Sequence, residues 1–580
     1  MSQEKTKDMV KYFYRASAAD FMKIPGGPVA YWANPILRTV FGKYPKLSDL
    51  AHVKQGLATA DNDRFLRLWF EVSAKRMALS CDSREESAQL NARWFPHSKG
   101  GEFRKWYGNR VWLVNWENDG EELLAFRPRS VIRSPDRYFE PCLSWTLISS
   151  SSTAFRYEPT GNIIGHKGPG VFCEQDLKVL AAFLNSKVAL YILSIIAPTI
   201  GFEVGQISLL PIVPVRAEAD RLIDITAEDW DAYEVSWDFA SSPLLSDDQA
   251  KTIEHQYRNL RAGWEETILE VQRLEEENNE NFICAYGLED ELTPNVSLEE
   301  VTLSCNPHYR YGGDRSTEEL ENILQCDTLA EFLSYTIGCI MGRYSMDKPG
   351  LILASPGETL QDYLHQISEP QFAPDDDAIL PLTDQEWFAD DATNRFCEFV
   401  RVVWGDEGIE ENLDFVAESL CLHAINPKRG ESALDTIRRY LSTQFFKDHL
   451  RTYKKRPIYW LFSSGKHKAF ECLVYLHRYN EGTLARMRTE YVIPLSAKLN
   501  AYAEKLEQDK DASTSTAETK RLEKEISTLY KQQTELAEFD EKLRHHADQR
   551  ISLDLDDGVK VNYGRFGDLL AEVKAVTGQK

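Results

Sequence analysis

Short apolar-polar runs, interrupted by turn residues, mark the first third of the chain. VWLVNW, CLSWTLISS and TAFRYEP are rich in β-branched and aromatic residues, and Gly, Pro and Asn separate the runs of this region, as expected of short strands. One long stretch, 174–196, then places Leu177, Leu180, Leu184 and Val188 at helical spacing, with Asn185 outside the apolar stripe. This spacing predicts one helix, and FEVGQISLLPIVPV closes the unit after it. The region up to Arg216 is predicted to be an α+β domain with much loop.

The pattern becomes helical after residue 216. Between Ser246 and Asn279 there is no Pro and only one Gly, which predicts a long solvated helix with Ser246 as its N-cap. Further on, two apolar seams flank the polar linker DKDASTSTAETK and predict an antiparallel helical hairpin. The seam residues are Leu495, Leu499, Tyr502 and Leu506, then Leu522, Leu529, Leu536 and Leu543.

These patterns predict an α+β protein. Its β-rich domain is followed by long spacer helices and by a mainly helical C-terminal region that contains the hairpin. The predicted segments are an N-terminal lead-in at 1–30, the β-rich domain at 31–216, a helical spacer at 217–300, a mixed α/β middle domain at 301–454 and a C-terminal domain at 455–580.

Composition narrows the class of protein. A chain of 580 residues with 43% hydrophobic and 27% charged residues predicts several globular domains. No apolar run approaches about 18 residues, so no membrane association is expected. The ten cysteines include no C-x-x-C pair, which favours a cytoplasmic protein without a disulfide framework or a zinc site.

Charge is distributed unevenly along the chain. Residues 1–216 contain 28 Lys and Arg against 21 Asp and Glu, whereas 217–580 contain 39 against 70. The net charges are therefore +7 and −31, although the whole chain carries −24. This asymmetry predicts one region that faces a polyanion, carried by an acidic remainder.

The most informative run is FRKWYGNRVWLVNW at 103–116. It combines three bases and two amides with five aromatic residues and contains no acid, a mixture that suits nucleic acid. A half-buried strand is the alternative and, for the run alone, the more frequent case. The residues in question are Phe103, Arg104, Lys105, Trp106, Tyr107, Asn109, Arg110, Trp112, Asn115 and Trp116.

Two further elements place cations near short polar side chains. LSDLAHVKQGLATADNDRF contains Lys54, Asn62 and Arg64, which can touch phosphate, although capping of a helix is the alternative for Asn62. RPRSVIRSPDR contains four arginines within eleven residues, a density above that of an ordinary solvated face. They are Arg127, Arg129, Arg133 and Arg137.

Motifs for enzymatic chemistry are weak. GHKGPG, at 165–170, lacks dinucleotide spacing and is predicted to be a β-turn. Asn306-Pro307-His308-Tyr309 forms no complete motif, because His308 stands where an amino-methyltransferase pocket has a second proline. Since no glycine-rich cofactor loop accompanies it, a strand-to-turn transition is the preferred interpretation and an active methyltransferase using Asn306–Tyr309 the weaker alternative.

The chain resembles the C-terminal half of the PglX family, the adenine-specific DNA methyltransferases of BREX phage-defence systems. The resemblance rests on nine strings in the same order along nearly the whole chain. They are IPGGPVAYW, VKQGLATADNDRF, KWYGNRVWLVNWENDG, FLNSK with APTIGFEVGQISLLPI, EDWDAYEVSWDF, YGLEDELTPNVSLEEVTL, RPIYWLFSSGKHKAF, RMRTEYVIPL and DLDDGVKVNYGRFGDLL.

The resemblance implies DNA target recognition by residues 31–215. In that family, S-adenosylmethionine binding and the Asn-Pro-Pro-Tyr pocket belong to a preceding domain, so no cofactor and no catalytic residue are expected in this chain. The expected partners are double-stranded DNA, a catalytic methyltransferase domain or chain, and other defence-system proteins. The chain would be a truncated or split member of the family, with a protein-interaction subunit as the alternative.

Under this interpretation the candidate residues take separate roles. Phosphates would be neutralised by Lys99, Arg104, Lys105, Arg110 and the four arginines of 127–137, and base edges would be contacted by Asn109, Asn115 and Gln206. Trp106 and Tyr107 would stack on bases or anchor the loop, whereas Trp112 and Trp116 belong to the core. Arg110→Ala would then alter sequence preference, and Lys105→Ala would weaken binding to all sequences equally.

Overall fold

The computed structural model describes residues 17–27, 30, 33–149, 152–173, 176–197, 200–217, 219–245 and 250–579. The chain forms two compact units, each assembled from separate segments. The first unit comprises Met1–Leu68, Arg76–Trp230 and Gly263–Gly313, and the second comprises Trp69–Lys75, Asp231–Ala262 and Asp314–Lys580. The sequence analysis predicted five consecutive segments, whereas each compact unit combines segments that are distant in sequence. The five domain boundaries stay a prediction.

The strands described in the first unit form two four-stranded sheets. One sheet has the order β1-β8-β5-β6 and is antiparallel throughout. The other has the order β2-β4-β3-β7, in which only the β3–β7 pair is parallel. The strands are β1 (His52–Lys54), β2 (Leu66–Leu68), β3 (Trp94–Ser98), β4 (Trp112–Asn115), β5 (Cys142–Trp145), β6 (Phe155–Glu158), β7 (Ile163–Ile164) and β8 (Gly170–Phe172).

Most helices up to residue 313 are short and connect or cover these strands. They are α1 (Ala18–Phe21), α2 (Pro35–Lys43), α3 (Leu47–Leu50), α4 (Asn62–Phe65), α5 (Arg84–Ser87), α6 (Glu117–Ala125), α7 (Leu177–Leu184), α8 (Lys187–Ile196), α9 (Val204–Ile207), α10 (Asp220–Asp231), α11 (Ile253–Tyr286) and α12 (Pro307–Tyr311). The long helix α11 confirms the predicted spacer helix, but the predicted start at Ser246 is wrong, because residues 250–252 are not helical and α11 begins at Ile253. Ser246 itself lies outside the described residues.

The predicted single helix at 174–196 is wrong, because the structure contains two helices that meet at an angle of 68°. The cause is Asn185, which is buried and forms two hydrogen bonds with the backbone of Phe155. Its Oδ1 accepts from the Phe155 nitrogen, and its Nδ2 donates to the Phe155 oxygen, both at 2.9 Å. Ser186 then caps α8 through its hydroxyl. A side chain that pairs with a strand has replaced the helical continuation.

Within the described ranges, no single helix has both the length and the apolar character needed to cross a bilayer. Among the described helices, one bent pair, α7 with α8, reaches that length and composition when the two are taken together. Their apolar side chains belong largely to the core of the first unit.

The second unit is mainly helical. Its small antiparallel sheet has the order β10-β11-β9, with Trp460 opposite Val474. Its strands are β9 (Ile379–Pro381), β10 (Tyr459–Ser463) and β11 (Glu471–Tyr475). The helices are α13 (Thr317–Ile340), α14 (Leu360–Gln366), α15 (Ala392–Trp404), α16 (Ile409–His423), α17 (Ala433–Thr443), α18 (Phe445–Thr452), α19 (Thr483–Arg486), α20 (Ile493–Ala512), α21 (Thr516–Asp548), α22 (Val559–Gly564) and α23 (Val573–Thr577).

The predicted helical hairpin is confirmed by α20 and α21, which pack against each other. Its predicted leucines are buried, whereas Tyr502 is partly exposed and donates to Glu525 at 2.6 Å. The α+β fold class is therefore confirmed, with β structure concentrated in the first unit and helices in the second.

A buried carboxyl in the second unit gives a pH-dependent prediction. Asp377 has a side chain only 4% exposed, and burial together with neighbouring Asp375 raises its pKa to about 7, against the opposing charge of Arg486. Because the folded state binds this proton more tightly than the unfolded state does, protonation of Asp377 increases the free energy of unfolding. The increase is complete below the ordinary aspartate pKa. This stabilisation is lost as pH rises through the raised pKa.

We therefore expect Asp377→Asn to flatten the pH dependence of the free energy of unfolding between pH 4 and 7, by up to about 1.4 kcal/mol per pH unit. Urea unfolding of both proteins across this range measures the difference. Asp376 and Asp390 also contact this neighbourhood through Arg486 and Tyr491, so Asp390→Asn serves as the comparison. Parallel wild-type and Asp377→Asn curves would contradict the expectation.

Candidate nucleic-acid interface

The start of the basic-aromatic run lies inside the first unit. The ammonium group of Lys105 donates to the carboxylate of Glu275 on α11, and Trp106 Nε1 donates to the same carboxylate at 2.7 Å. Lys105 is 7% exposed and Trp106 is 1% exposed. In addition, the Lys105 backbone nitrogen donates to Thr302 Oγ1 at 3.0 Å. The run therefore binds the spacer helix to the β-rich part of its own unit.

Arg104 makes a second internal connection. Its guanidinium donates to Asp229 on α10 at 3.2 Å and to the hydroxyl of Ser304 at 2.5 Å. The Asp229 carboxylate also accepts from the backbone nitrogens of Ser304 and Cys305, at 2.6 and 2.9 Å. Arg104 thus holds the end of α10 and the loop before α12 together.

Arg110 is also buried and internally paired. Its guanidinium lies 3.5 Å from the Glu158 carboxylate on β6 and donates to the hydroxyl of Tyr107. Glu158 further accepts from the hydroxyls of Ser144 and Ser98, at 2.7 and 3.2 Å. Tyr107 is 7% exposed, so its ring is part of the same interior network.

The structure corrects the expectation that Arg104, Lys105 and Arg110 face DNA phosphates. Each cation is desolvated and is balanced by a carboxylate distant in sequence, as buried charges require. Trp106 and Tyr107 are buried with them and act as anchors rather than as stacking surfaces for bases. The expected strand is present as β4, with Trp116 buried and Trp112 half-buried.

Several loops of the first unit are joined by backbone hydrogen bonds and carry exposed side chains between buried ones, and we call this group of loops the loop face. It consists of 54–58, 98–101, 127–134, 146–149, 165–168 and 200–202. Backbone hydrogen bonds connect these loops, from Leu57 to Ile164 at 2.9 Å, from Ala58 to Val131 at 2.9 Å and from Leu147 to Lys167 at 3.1 Å. The loop face is therefore an ordered surface of joined segments.

Two glycines permit this close approach. A Cβ at position 56 would lie 1.9 Å from the carbonyl oxygen of Ile164, and one at position 165 would lie 2.3 Å from that of Ser98. Any larger residue at Gly56 or Gly165 would force the backbones apart. GHKGPG, predicted as a turn, forms the loop between β7 and β8 and contributes to this face.

Three cations of the loop face have no carboxylate partner in the part of the chain that the structure describes. Lys54 is half-buried and Arg133 and Lys167 are exposed, and among the described residues none of the three has an ion-pair partner. Burial, and after it the charges of Lys167 and Arg133, lowers the pKa of His166, with Glu203 opposing. The contributions of Lys167 and Arg133, which come after that of burial, show that both cations lie near His166.

Two more predicted arginines lie on the same face. Arg127 and Arg129 are exposed, and the Arg129 guanidinium lies over the Phe126 ring at 5.7 Å. Arg127 and Arg133 are both close enough to Tyr138 to influence its hydroxyl electrostatically. The arginine-rich segment thus contributes three side chains to the loop face.

Three other predicted cations are already engaged. Arg137 pairs with Glu140 at 3.0 Å, and Arg64 pairs with Glu122 at 2.6 Å. The Lys99 ammonium lies 3.5 Å from the centre of the Trp112 ring, and its side chain is half-buried. A phosphate would have to compete with these contacts, so we assign them no leading role.

The predicted amides separate into two groups. Asn115 is 2% exposed and donates to Glu122 at 2.8 Å, while Gln206 caps α9 by accepting from the Glu203 backbone nitrogen at 2.9 Å. Both amides are structural, which corrects their predicted role in reading bases. Asn62 is exposed and its Oδ1 accepts from Thr59 Oγ1 at 2.9 Å, and half-buried Asn109 donates to the Glu102 carbonyl at 2.9 Å.

Asn306 is a helix cap. Its Nδ2 donates to the carbonyl oxygens of Leu298 and Val301, at 2.7 and 2.8 Å, and its Oδ1 accepts from the His308 nitrogen at 3.1 Å. The side chain is fully buried, and Tyr309 donates its hydroxyl to the Phe103 carbonyl. An amide with these bonds already formed has no donor left for a flipped base. The predicted strand-to-turn transition is in fact a loop followed by α12.

Metal ligation receives no support from the described part of the chain, where no three His, Cys, Asp or Glu side chains are grouped to hold an ion. The ten cysteines are free thiols, and burial raises the pKa of several of them, among them Cys81 to about 11. A thiol with a raised pKa is a poor nucleophile at neutral pH.

Comparison with known proteins places the chain beside methyltransferases. It is 45% identical over 568 residues to "Adenine-specific methyltransferase BrxX" of Escherichia coli O9:H4 (strain HS). It is 35% identical over 578 residues to "Adenine-specific methyltransferase PglX" of Lacticaseibacillus casei (strain Zhang). The chain is a relative of adenine-specific methyltransferases. No protein-family model matches it.

The alignments cover nearly all of this chain but less than half of each relative. The alignments cover 96% of this chain but only 46% of BrxX and 45% of PglX, so the chain spans about half the length of these curated relatives. The resemblance to PglX is confirmed at this level. That the matching half is the C-terminal one stays a prediction.

Proposed function

We propose that this chain is the DNA-recognition part of an adenine-specific DNA methyltransferase of a BREX phage-defence system, and that the loop face contacts the DNA. The observation that carries the proposal is the group of cations on the loop face that have no ion-pair partner among the described residues. Exposed and uncompensated cations on an ordered surface are what a phosphate backbone requires.

The proposal assigns phosphate contacts and base contacts to different residues. Lys54, Arg127, Arg129, Arg133 and Lys167 neutralise phosphates, and Lys167 is a residue that the sequence interpretation missed. The exposed amide of Asn62 and the half-buried amide of Asn109 are the candidates for base edges, since an amide can form two hydrogen bonds with adenine.

The chemistry of methyl transfer is proposed to lie elsewhere. The cap formed by Asn306 leaves this residue without a donor free to hold a flipped adenine. S-adenosylmethionine and the catalytic pocket would be supplied by a separate methyltransferase domain or chain, which positions its active site once the loop face has bound the duplex.

A salt titration tests the proposal on the full chain. We expect binding to a fluorescent 30-base-pair duplex of random sequence, with the affinity falling by roughly 10²- to 10³-fold between 50 and 200 mM salt if about five phosphates are neutralised. Fluorescence anisotropy measures this. If the chain does not bind at 50 mM salt, the proposed function is wrong. If the affinity does not change with salt concentration, the loop-face cations do not contact the phosphates.

A further inference from the structure

We propose that a short two-stranded ribbon on the loop face carries Ile148 and Ile200 into the DNA major groove, where they contact thymine methyl groups. The ribbon consists of 147–149 and 200–202. This inference rests on the proposed function and specifies which chemical group of the DNA the face recognises.

The root of the ribbon is firmly anchored. The Phe202 nitrogen donates to the Leu147 carbonyl at 2.8 Å, and the Trp145 indole donates to the Phe202 carbonyl, also at 2.8 Å. Leu147 and Phe202 are 2% and 9% exposed. The ribbon therefore leaves the core as a fixed extension of β5 rather than as a free loop.

One residue pair further out, the ribbon leaves the protein interior. Ile148 lies opposite Gly201, and the Ser149 nitrogen donates to the Ile200 carbonyl at 3.0 Å. Because neighbouring side chains alternate between the faces of a strand, Ile148 and Ile200 lie on opposite faces. Ile148 is 49% exposed and Ile200 is 65% exposed, so neither face is covered at this point. An accessible aliphatic side chain therefore lies on each face of the ribbon.

The charged residues beside the ribbon favour DNA as its partner. The Leu147 nitrogen donates to the Lys167 carbonyl at 3.1 Å, which places the ribbon directly beside an exposed cation of the loop face. Thr146 Oγ1 accepts from the Gly101 nitrogen and donates to the Gly101 oxygen, both at 3.1 Å. Lys167 and Arg133, whose charges both act on His166, would neutralise phosphates that border a groove, and the two outnumber the exposed carboxylate of Glu203. An apolar protein surface would leave these cations unpaired.

The dimensions and chemistry of the major groove fit this ribbon. The groove is about 12 Å wide and admits a two-stranded β-ribbon. The C5 methyl of thymine is its apolar group, and aliphatic side chains recognise it by contact. Two exposed isoleucines on a rigid ribbon would therefore favour sites that contain thymine.

The experiment first selects bound duplexes with the full chain from a random-sequence pool and then replaces each thymine of the recovered site by uracil, which lacks only the methyl group. We expect the wild type to lose about fourfold in affinity at one or more positions, the value of one buried methyl. The Ile148→Ser, Ile200→Ser double variant should bind the thymine and uracil duplexes equally. Leu269→Ser, an exposed aliphatic position on α11 at 54% exposure, should behave as the wild type.

The outcomes separate this inference from the proposed function. If the wild type binds no duplex at low salt, the proposed function fails. A recovered site without thymine, or equal affinity of the wild type for thymine and uracil duplexes, overturns the inference alone. If the double serine variant discriminates as the wild type does, the inference is also overturned, because the two isoleucines then do not read the methyl groups. The unfolding midpoints of the serine variants should match the wild type, since both positions are exposed.

Discussion

Replacing Lys105 by methionine is expected to lower the free energy of unfolding by about 3–5 kcal/mol. The substitution leaves the buried carboxylate of Glu275 without its cation, and breaking a buried pair by removing one partner costs this much. Trp106 Nε1 still donates to the carboxylate, but a neutral donor cannot balance the charge. Urea unfolding monitored by tryptophan fluorescence measures the loss.

A double variant makes this prediction specific. Lys105→Met combined with Glu275→Gln removes both charges and keeps an oxygen acceptor for Trp106, so it should recover a large part of the lost stability. If Lys105 instead contacted phosphate, Lys105→Met would leave stability unchanged and reduce the salt dependence of DNA binding. That result would restore the interpretation that the sequence first suggested.

The second large effect concerns DNA binding. Replacing Lys54, Arg133 and Lys167 by alanine should reduce the slope of log affinity against log salt by roughly 2–3 and lower the affinity at physiological salt by roughly 100-fold. These three side chains pair with no carboxylate among the described residues, so removing them leaves no internal charge unbalanced. The unfolding midpoint should therefore remain near that of the wild type. Anisotropy titrations at several salt concentrations measure the slope.

A matched triple variant provides the control. Lys178, Arg221 and Arg273 lie in the same unit but pair with Asp220, Glu270 and Glu277. Their replacement by alanine removes the same formal charge, yet each cation is locally neutralised, so the salt slope should change little. Equal effects of the two triple variants would show that binding depends on net charge and not on the loop face.

Local features of the fold were predictable because they depend on neighbours in sequence. The leucines at sevens between Leu522 and Leu543 lie one above another on a helix, and they are buried in α21. The alternation in VWLVNW likewise predicted β4. The prediction of a single helix at 174–196 was wrong at Asn185, because the side chain of this residue bonds to the backbone of Phe155, thirty residues away. No pattern within the stretch indicates that pairing.

The candidate site shows the same contrast between features that depend on sequence neighbours and features that depend on distant residues. Arg127, Arg129 and Arg133 were identified from density of charge, and Lys54 from its place among short polar side chains; all four lie on the loop face. Lys167 was passed over because its motif indicated only a turn. Arg104, Lys105 and Arg110 carried the strongest signal and proved internal. Their carboxylate partners Asp229, Glu275 and Glu158 are 125, 170 and 48 residues further along the chain.

The sequence by itself determined the α+β class, the helical hairpin, the excess of cations before residue 217 and the relation to adenine-specific methyltransferases. Each of these depends on local periodicity, on composition or on the order of strings along the chain. Only the tertiary structure decided which cations remain available to a ligand. A charge next to a distant carboxylate is desolvated and neutralised, whereas one on an exposed loop is not, and the pairing of residues far apart in sequence determines which of the two occurs.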